Sequence, residues 1–476
     1  MTLKELVKNI ECEISKNPEI EIKGIAYDSR KVQEGYLFVA IKGFETDGHK
    51  YIESAIKNGA IAVLGEEDIE GDFTYVKVKD SRRALAMCGA QFYDHPEKKL
   101  KIIGITGTNG KTTTSYLIRQ ILMLKGIRCD LIGTNQTIVG DEVVESSRTT
   151  PESLDLFELF AKMASCGGEY VVMEVSSHSL DLDRVYGVEF ETSVLTNITQ
   201  DHLDFHKTMD NYARAKAKLF AVSKSSAINM DADYADLCLE SAKGTVLTYS
   251  LKNDSLIRAE NIEMSERGVI FDIKINGEDA KMRLGIPGEF SVYNALSAIC
   301  ACINIGMDIE DIQKGLVLAK SVKGRIEVVH TNTPYTVIID YAHTPDGLEN
   351  IISAVRAFAK GRVITVFGCG GNRDSSKRPK MGLVAESLSD IAIVTSDNPR
   401  CENPEDIIRD ILEGMKKDNH TVICDRRSAI KHAMQIAEKD DIVILAGKGH
   451  ETYQEIDHIK HDFDERVVIK EILEEM

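Results

Sequence analysis

The sequence lacks long apolar runs, and this absence excludes a membrane-spanning helix. Such a helix needs ~20 consecutive apolar residues, whereas the longest runs here are strand-sized pieces at 391–394 and 442–446. Charged residues interrupt the apolar ones at positions 1–10, and no small-residue cleavage site follows them. We therefore expect no signal peptide, no membrane insertion and a cytoplasmic protein.

Closely spaced cysteine pairs and an excess of positive charge are also missing. The ten cysteines are scattered, and the one close pair, Cys300 and Cys302, lacks the spacing of a metal site. We therefore expect free thiols in a reducing compartment. The formal net charge of −18 argues against nucleic acid or an anionic membrane as the main partner, although local clusters of cations could still bind an anionic substrate.

A glycine-rich stretch at 101–114 carries the clearest chemical signal. A β-branched apolar run leads into glycines at positions 104, 107 and 110, then a lysine, three threonines and a helical pattern. Strand, loop and helix in this order predict a phosphate-binding loop, in which backbone N–H groups and a helix N-terminus surround an anion. The candidate ATP-binding residues here are Gly107, Thr108, Asn109, Gly110, Lys111, Thr112 and Thr113.

The spacing of this loop departs from the generic pattern. G-x-x-x-x-G-K-[ST] requires glycine at position 105, where this chain has Ile105, so the match is to a variant loop. Lys111 is expected on the terminal phosphates and the Thr112 hydroxyl on Mg²⁺. The alternative is a glycine-rich turn that carries a surface lysine.

The length of 476 residues predicts about three domains. The pattern of strands and helices places them at 1–98, 99–325 and 326–476. Strand patterns alternate with helical ones, including a helix predicted at 211–222, which predicts an α/β fold with a mostly parallel sheet in the central domain. In such sheets ligands bind beyond the carboxyl ends of the strands.

Metal-capable residues lie at two of the predicted strand ends. Glu174 ends a buried strand, where a carboxylate suits Mg²⁺, although it could instead cap a helix. Asn197 ends the next strand and is followed by His202 in a stretch rich in aspartate and histidine. Histidine is an unusual ligand for Mg²⁺, so on chemistry alone His202 could equally be a structural hydrogen-bonding residue.

Four strands of the last domain end in polar or glycine-rich segments, at 340–346, 368–374, 396–400 and 447–451. Parallel strands bring such segments to one edge of the sheet, so a second substrate site is expected there. The segment at 368–374 superficially suggests a dinucleotide fingerprint. Because the full G-x-G-x-x-G is absent, NAD(P) is disfavoured.

Taken together, these motifs resemble the Mur ligases of peptidoglycan synthesis along essentially the whole chain. The segments that carry the resemblance are 104–114, 174–178, 197–204, 287–294, 324–327, 340–343 and 446–451. It implies an N-terminal UDP-binding domain, a central ATPase domain and a C-terminal Rossmann-like domain. It also implies that ATP phosphorylates the D-glutamate side-chain carboxylate of UDP-N-acetylmuramoyl-L-alanyl-D-glutamate and that an amine attacks the resulting acyl phosphate.

The resemblance also assigns roles to residues. Lys216 matches a lysine that carries a carbamate (N6-carboxylysine), and the implied Mg²⁺ set is Thr112, Glu174, His202 and Lys216. With Lys111, the last three form the implied catalytic set. Further ATP contacts are implied at Asn294 (adenine), Arg325 (phosphate), Asp340 and His343 (ribose and phosphate). The implied contacts to the UDP substrate are Ser29, Thr149, Thr150, Ser177 and Arg184, although 149–151 could also simply start a helix.

The incoming amino acid is predicted from the segment Asp397, Asn398, Pro399 and Arg400. Members of the family that add meso-diaminopimelate carry this pattern, and an arginine can pair with the second carboxylate of that substrate. L-Lysine has no such carboxylate and would leave Arg400 unpaired. Arg373 is expected to bind a carboxylate, and Glu451 with the Gly447 backbone is expected to bind the distal ammonium.

We therefore predict an ATP- and Mg²⁺-dependent ligase, acting as a monomer, that adds meso-diaminopimelate to the UDP-N-acetylmuramoyl dipeptide. The nearest alternative is an L-lysine-adding ligase of the same family. Folylpolyglutamate synthetase, which shares the acyl-phosphate chemistry, is a more distant one. A nucleotide-dependent binding switch would explain the phosphate loop but not the second site in the last domain.

Overall fold

A computed structural model describes residues 1–43, 46–144, 148–265, 268–275, 277–319 and 322–476. The chain forms two compact units. The first comprises 1–104, 126–193 and 218–225, and the second comprises 105–125, 194–217 and 226–476. The domain limits predicted at 98 and 325 stay a prediction. Among the described residues, no helix has both the length and the hydropathy required to cross a bilayer.

The chain up to residue 98 belongs to the first unit and forms a five-stranded sheet in the order β1-β5-β4-β3-β2. All its neighbours pair in parallel except β1 with β5. Two apolar clusters form the core of this part, one of them built around Leu37, Leu64 and Val76. The elements are β1 (Cys12–Ile14), β2 (Gly24–Ala26), β3 (Tyr36–Val39), β4 (Ala60–Gly65), β5 (Thr74–Val78), α1 (Leu3–Leu6), α2 (Ile52–Lys57) and α3 (Ser81–Phe92).

Eleven strands and eight helices of the described residues lie between 99 and 325. The strands are β6 (Lys101–Thr106), β7 (Cys129–Ile132), β8 (Thr137–Val139), β9 (Glu142–Val144), β10 (Tyr170–Glu174), β11 (Thr192–Leu195), β12 (Ser225–Asn229), β13 (Thr245–Ser250), β14 (Ile257–Ser265), β15 (Gly268–Ile275) and β16 (Glu278–Leu284). The helices are α4 (Lys111–Leu124), α5 (Ser153–Ser165), α6 (Ser177–Asp181), α7 (Leu203–His206), α8 (Met209–Ala217), α9 (Ala235–Ser241), α10 (Glu289–Asn304) and α11 (Ile309–Val317).

Each unit has its own order of neighbouring strands. In the first unit β6 neighbours β10, followed by β7, β8 and β9, with β10 and β7 parallel and the last two strands antiparallel. In the second unit the order is β16-β15-β14-β13-β12. The outer three of these strands are antiparallel, and only two residues of the chain separate each of them from the next.

The last part of the chain forms a six-stranded sheet in the order β17-β18-β22-β19-β20-β21, parallel except for β17. Its elements are β17 (Glu327–Val329), β18 (Thr336–Asp340), β19 (Val363–Phe367), β20 (Ile391–Val394), β21 (His420–Val422), β22 (Ile442–Ala446), β23 (Tyr453–Ile456), β24 (Ile459–Asp462), α12 (Pro345–Arg356), α13 (Arg378–Leu388), α14 (Pro404–Leu412), α15 (Arg426–Ile436) and α16 (Glu465–Glu475). The predicted convergence of four polar strand ends is confirmed, since β18, β22, β19 and β20 are adjacent and parallel.

The α/β class predicted from the sequence is confirmed, but one predicted helix is wrong. The apolar pattern at 211–222 predicts one continuous helix, whereas α8 ends at Ala217 and a separate 3₁₀ turn covers Phe220–Val222. The reason is a competing backbone partner. The Val222 carbonyl accepts the Phe190 N–H at 3.0 Å and Lys224 donates to the Phe190 carbonyl at 2.9 Å, so this segment pairs like a strand.

Candidate active site

The predicted phosphate loop lies between the end of β6 at Thr106 and the start of α4 at Lys111. Gly107 and Gly110 have φ angles of +147° and +85°, which disfavour residues with a side chain. Space adds a second restriction. A Cβ atom at Gly107 would lie 1.9 Å from Thr196 Oγ1, and one at Gly110 would lie 2.4 Å from Asn294 Oδ1. Both glycines are therefore required by conformation and by packing.

Asn197, at the carboxyl side of β11, holds the loop in shape. Its carbonyl accepts the Thr108 N–H at 2.9 Å, and its Oδ1 accepts the Asn109 N–H at 2.9 Å. The Thr108 hydroxyl accepts the Thr199 N–H at 2.9 Å. β11 ends at Leu195, two residues before the end predicted at Asn197, and Asn197 instead uses its carbonyl and side chain to position the loop.

Two lysines converge on one carbonyl of this loop. Lys111 Nζ donates to the Gly107 carbonyl at 2.9 Å and to the Thr108 carbonyl at 2.8 Å, while Lys216 Nζ donates to the same Gly107 oxygen at 2.8 Å. Lys216 is buried, with 1% of its surface exposed. Burial and the neighbouring charge of Lys111 hold the pKa of Lys216 well below the usual lysine range. Its amine is therefore suited to be neutral and nucleophilic.

A buried carboxylate, Asp201, collects three cationic or titratable neighbours. His202 Nε2 lies 3.4 Å from Asp201 Oδ2, Lys377 Nζ lies 3.9 Å from Oδ1, and His343 Nε2 lies 4.0 Å from Oδ2. Burial acts to raise the Asp201 pKa, but these three neighbours outweigh it and hold the pKa well below its ordinary value. The structure thus brings His202 and His343, both predicted from the sequence, to one carboxylate.

A cavity of about 310 Å³ adjoins the phosphate loop within the second unit. Six of the predicted ATP-binding residues line it: Asn109, Gly110, Thr113, Asn294, Arg325 and Asp340. Arg325 donates from Nη2 to the Thr112 hydroxyl at 3.3 Å, and its guanidinium stacks over the Tyr341 ring at 4.7 Å. This volume lies at the lower end of the range for small-molecule sites.

Asp340 fixes the backbone at the entrance to the last domain. Its carboxylate accepts the Ile326 N–H and the Ala342 N–H, each at 2.8 Å, and burial raises its pKa. His343 donates from Nδ1 to the Tyr341 carbonyl at 2.9 Å, and burial with the Lys377 charge lowers its pKa to about 4. His343 is therefore neutral at pH 7, which leaves Arg325 and the lysines as the cations for phosphate.

The predicted amino-acid site forms a connected network. Asn398 donates from Nδ2 to Glu451 Oε2 at 2.8 Å, and its Oδ1 accepts the Glu455 N–H at 2.9 Å. Lys448 Nζ lies 3.0 Å from Asn398 Oδ1, 3.2 Å from Glu451 Oε2 and 3.4 Å from Asp397 Oδ1. Burial raises the pKa of Glu451. Burial acts in the same direction at Asp397, but the charges of Lys448 and Arg426 together with the Lys448 hydrogen bond outweigh it and lower the pKa of Asp397.

Arg400 has protein partners, so one step of the sequence argument is wrong. Its Nε lies 3.1 Å from Glu455 Oε2, and its Nη1 donates to the Gly371 carbonyl at 2.7 Å. Without a substrate carboxylate, Arg400 would thus still be paired. Glu455 lies 55 residues after Arg400 in the chain, so this pair could not be matched from the sequence. Of the other predicted residues, Arg373 is exposed and Pro399 is buried, and Gly447 adopts φ +115° beside Asp397.

Glu174 lies in the first unit and is fully buried. Its Oε1 accepts the Thr134 N–H at 2.9 Å, and its Oε2 accepts the Thr134 hydroxyl at 2.8 Å. The alternative of a helix cap is wrong, because Ser176 caps α6. The metal role of Glu174 stays a prediction.

The predicted UDP-substrate residues also lie in the first unit. The Thr149 hydroxyl lies 3.0 Å from the Thr134 hydroxyl. The Thr150 hydroxyl donates to the Glu174 carbonyl at 2.9 Å. Ser29 and Ser177 are buried. Arg184 donates from Nη1 to the Thr150 carbonyl at 3.3 Å.

Three arginine side chains surround the Glu152 carboxylate in the same unit. Arg184 lies 3.2 Å from its carboxylate, and Arg82 and Arg148 each lie 3.7 Å away. Three guanidinium groups around one carboxylate leave a local positive excess, which suits an anionic substrate. Burial lowers the pKa of Arg184 from its usual value.

The first, middle and last parts of the chain are each similar to known proteins. Three family models match the chain: "Mur ligase family, catalytic domain" at residues 21–93, "Mur ligase middle domain" at 105–302 and "Mur ligase, glutamate ligase domain" at 324–449. Full-length relatives agree with them. The chain is 49% identical to a protein of Clostridium tetani over 484 residues, covering 100% of both chains. The chain belongs to the Mur ligase family.

Three relatives of this Mur ligase share one name. The Clostridium tetani protein is named UDP-N-acetylmuramoyl-L-alanyl-D-glutamate–2,6-diaminopimelate ligase. A Clostridium botulinum protein has the same name and is 50% identical, with 100% of both chains covered. So does a Caldanaerobacter subterraneus protein that is 50% identical, with 100% of this chain and 99% of the relative covered.

A solved structure with the same name is 32% identical to this Mur ligase, with a TM-score of 0.70 and coverage of 100% and 99% of the two chains. Mycobacterium tuberculosis folylpolyglutamate synthase reaches a TM-score of 0.66 at 18% identity and covers 77% of this chain and 93% of that chain. This likeness shows a shared fold alone. The three-domain α/β organisation predicted from the sequence is confirmed.

Sequence reasoning missed three residues that the structure places at the site. Asp201 and Lys377 interact at the nucleotide side, and Lys448 lies inside the amino-acid network. Asp201 stands within a stretch already rich in metal-capable residues, which was a usable signal. Lys448 stands within the polar strand end at 447–451, which was a usable signal as well, whereas Lys377 carried none, because lysine is normally exposed.

Proposed function

We propose that this Mur ligase uses ATP to join meso-diaminopimelate to the D-glutamate side-chain carboxylate of UDP-N-acetylmuramoyl-L-alanyl-D-glutamate. The observation that carries the proposal is the buried Lys216 amine, which shares the Gly107 carbonyl with the phosphate-loop Lys111. A neutral lysine beside a phosphate loop suits a carbamate. The names of relatives that are 48–50% identical over the whole chain support the substrate assignment.

The nucleotide part of the reaction uses the second unit. A carboxylate is a poor electrophile at neutral pH, so it must first take the γ-phosphoryl group of ATP. Lys111 and the loop N–H groups would hold the β- and γ-phosphates, and Arg325 would reach the same phosphates from beside Thr112. Asn294 and Asp340 line the cavity that suits the nucleoside. Catalysis at this step consists mainly of positioning and charge neutralisation.

Lys216 would act as a carbamate. Its neutral amine adds to CO₂ and one proton leaves, so the product carries one negative charge that is shared by two oxygens. Mg²⁺ prefers such oxygen ligands, so the carbamate and the Thr112 hydroxyl fit this ion. When bound, Mg²⁺ would neutralise charge on the transferring phosphoryl group. Glu174 and His202 stay predicted members of the metal set.

The amine part uses the network around Asn398. Arg400 would bind the distal carboxylate of diaminopimelate, and Glu451 with Asp397 would attract the distal ammonium. The other amine then attacks the acyl carbon, phosphate leaves, and an amide bond forms. Asn398 itself is engaged by Glu451, Lys448 and Glu455, so it would orient the carboxylates rather than bind the substrate.

The test is phosphate release from ATP by the full-length protein. Release should require both UDP-N-acetylmuramoyl-L-alanyl-D-glutamate and an amino acid, and meso-diaminopimelate should be preferred over L-lysine. A folate in place of the UDP substrate serves as the negative control. Release that is independent of the amino acid, or equal rates with both acceptors, would contradict the proposal.

A further inference from the structure

One cation inside the amino-acid network has no assigned role. Lys448 is fully buried, and its Nζ lies within 3.4 Å of acceptors on Asp397, Asn398 and Glu451. The Tyr453 ring, at 5.8 Å, covers another side. Burying a lysine is costly unless it is paired, so its retention here calls for a compensating interaction. The two carboxylates supply that interaction.

The charges of the network can be counted. Arg400 and Glu455 form their own ion pair at 3.1 Å, and Arg426 is paired with Glu465 at 2.7 Å. What remains is Asp397 and Glu451 against the single charge of Lys448. With both carboxylates ionised, this group carries one negative charge, and without Lys448 it would carry two.

The two candidate acceptors differ in the charge of their distal ends. Diaminopimelate presents an ammonium and a carboxylate there, which sum to zero, whereas L-lysine presents an ammonium alone. A more negative site therefore favours L-lysine. Building on the function proposed above, we propose that Lys448 is a specificity-determining residue, whose buried ammonium cancels one carboxylate charge and thereby disfavours acceptors that end in a bare ammonium.

Lys448 acts through its neighbours, so it is a positioning residue. The framework around it has supports of its own, since Asn398 bonds directly to Glu451 at 2.8 Å and to the Glu455 N–H at 2.9 Å. A neutral side chain at position 448 should therefore change the charge of the site more than its shape. This separation makes the proposal testable through selectivity.

The experiment compares Lys448→Met and Lys448→Gln with the wild type, in the full chain. The ratio of kcat/KM for L-lysine to kcat/KM for meso-diaminopimelate, measured by phosphate release, should rise about tenfold in both variants, since one unit charge acts over a few ångströms. The KM for ATP should stay within about twofold. Lys460→Met is the matched control, because Lys460 lies over the same Tyr453 ring but is exposed.

Several results would overturn the proposal. Equal loss with both acceptors, an unchanged ratio, or the same shift in Lys460→Met would each do so. If neither variant at position 448 unfolds cooperatively on heating, Lys448 is needed for folding and the specificity role is rejected. A wild-type protein that joins neither acceptor would instead refute the proposed function, so the two failures are distinguishable.

Discussion

Replacing Arg400 by alanine should impair the use of meso-diaminopimelate far more than the use of ATP. The Nε side of the guanidinium is occupied by Glu455 at 3.1 Å, and Nη1 also donates to the Gly371 carbonyl at 2.7 Å. The side chain is 20% exposed. A substrate carboxylate is therefore expected to approach the outer edge formed by Nη1 and Nη2.

The size of the effect follows from this geometry. A hydrogen bond to a charged group contributes about 1.5–3 kcal/mol, which corresponds to about 10- to 150-fold in kcat/KM. Because Nη1 is shared with Gly371, we expect the lower part of this range, about 10- to 50-fold for diaminopimelate. The KM for ATP should change less than about twofold, since Arg400 does not line the nucleotide cavity.

The assay is steady-state phosphate release with each substrate varied in turn. Arg409→Ala is the control, because Arg409 is 70% exposed and pairs only locally, with Asp406 at 2.8 Å, among the contacts of the described residues. Equal increases in the KM values for ATP and diaminopimelate would refute the reasoning. So would a loss with L-lysine as large as the loss with diaminopimelate.

The remaining predictions concern Lys216 and a buried ion pair. Lys216→Ala should abolish phosphate release and be partly rescued by formate or acetate, which can replace the carbamate oxygens. Lys218→Ala, in which an exposed lysine that pairs with Asp181 at 2.8 Å is lost, should remain active. Lys216→Met should raise the urea midpoint in CO₂-free buffer at pH 7, and this gain should shrink as the pH rises into the ordinary lysine range. The sign follows because the lowered pKa means that the unfolded chain binds a proton more readily than the folded one. Glu465→Gln should lower the free energy of unfolding by about 3 kcal/mol, because it leaves the fully buried Arg426 without its carboxylate partner at 2.7 Å.

Each of these has a contradicting result. Full activity of Lys216→Ala, or no rescue by small carboxylic acids, would exclude the carbamate. An equal midpoint for Lys216→Met and wild type at both pH values would show that the buried amine costs no stability. For the ion pair, the double variant Arg426→Met with Glu465→Leu should recover stability, and a loss below about 1 kcal/mol in Glu465→Gln would contradict the assigned role.

Most of the fold was predictable because its signals are local. The strands at 363–367 and 442–446 are apolar runs between polar segments, interrupted only by Thr365, and the structure has them at the same residues. The helix predicted at 211–222 failed because a non-local partner, Phe190, recruits the backbone at Val222. Periodicity does not report such competition.

The candidate site likewise has a part that local sequence signals predict and a part that depends on non-local contacts. The phosphate loop, the lysine that follows it and the polar strand ends are encoded in short contiguous segments, since backbone conformation and parallel pairing depend on nearby residues and on strand order. The partners of those residues are set by packing: Glu455 beside Arg400, Lys377 beside Asp201, and Lys448 within reach of Asp397. These pairs are separated by 51 to 176 residues, and the same packing removes water from Lys216 and Lys448 and so sets their chemistry. Burial and long-range proximity are properties of the folded chain, because they arise from how the elements pack and are not contained in any one segment.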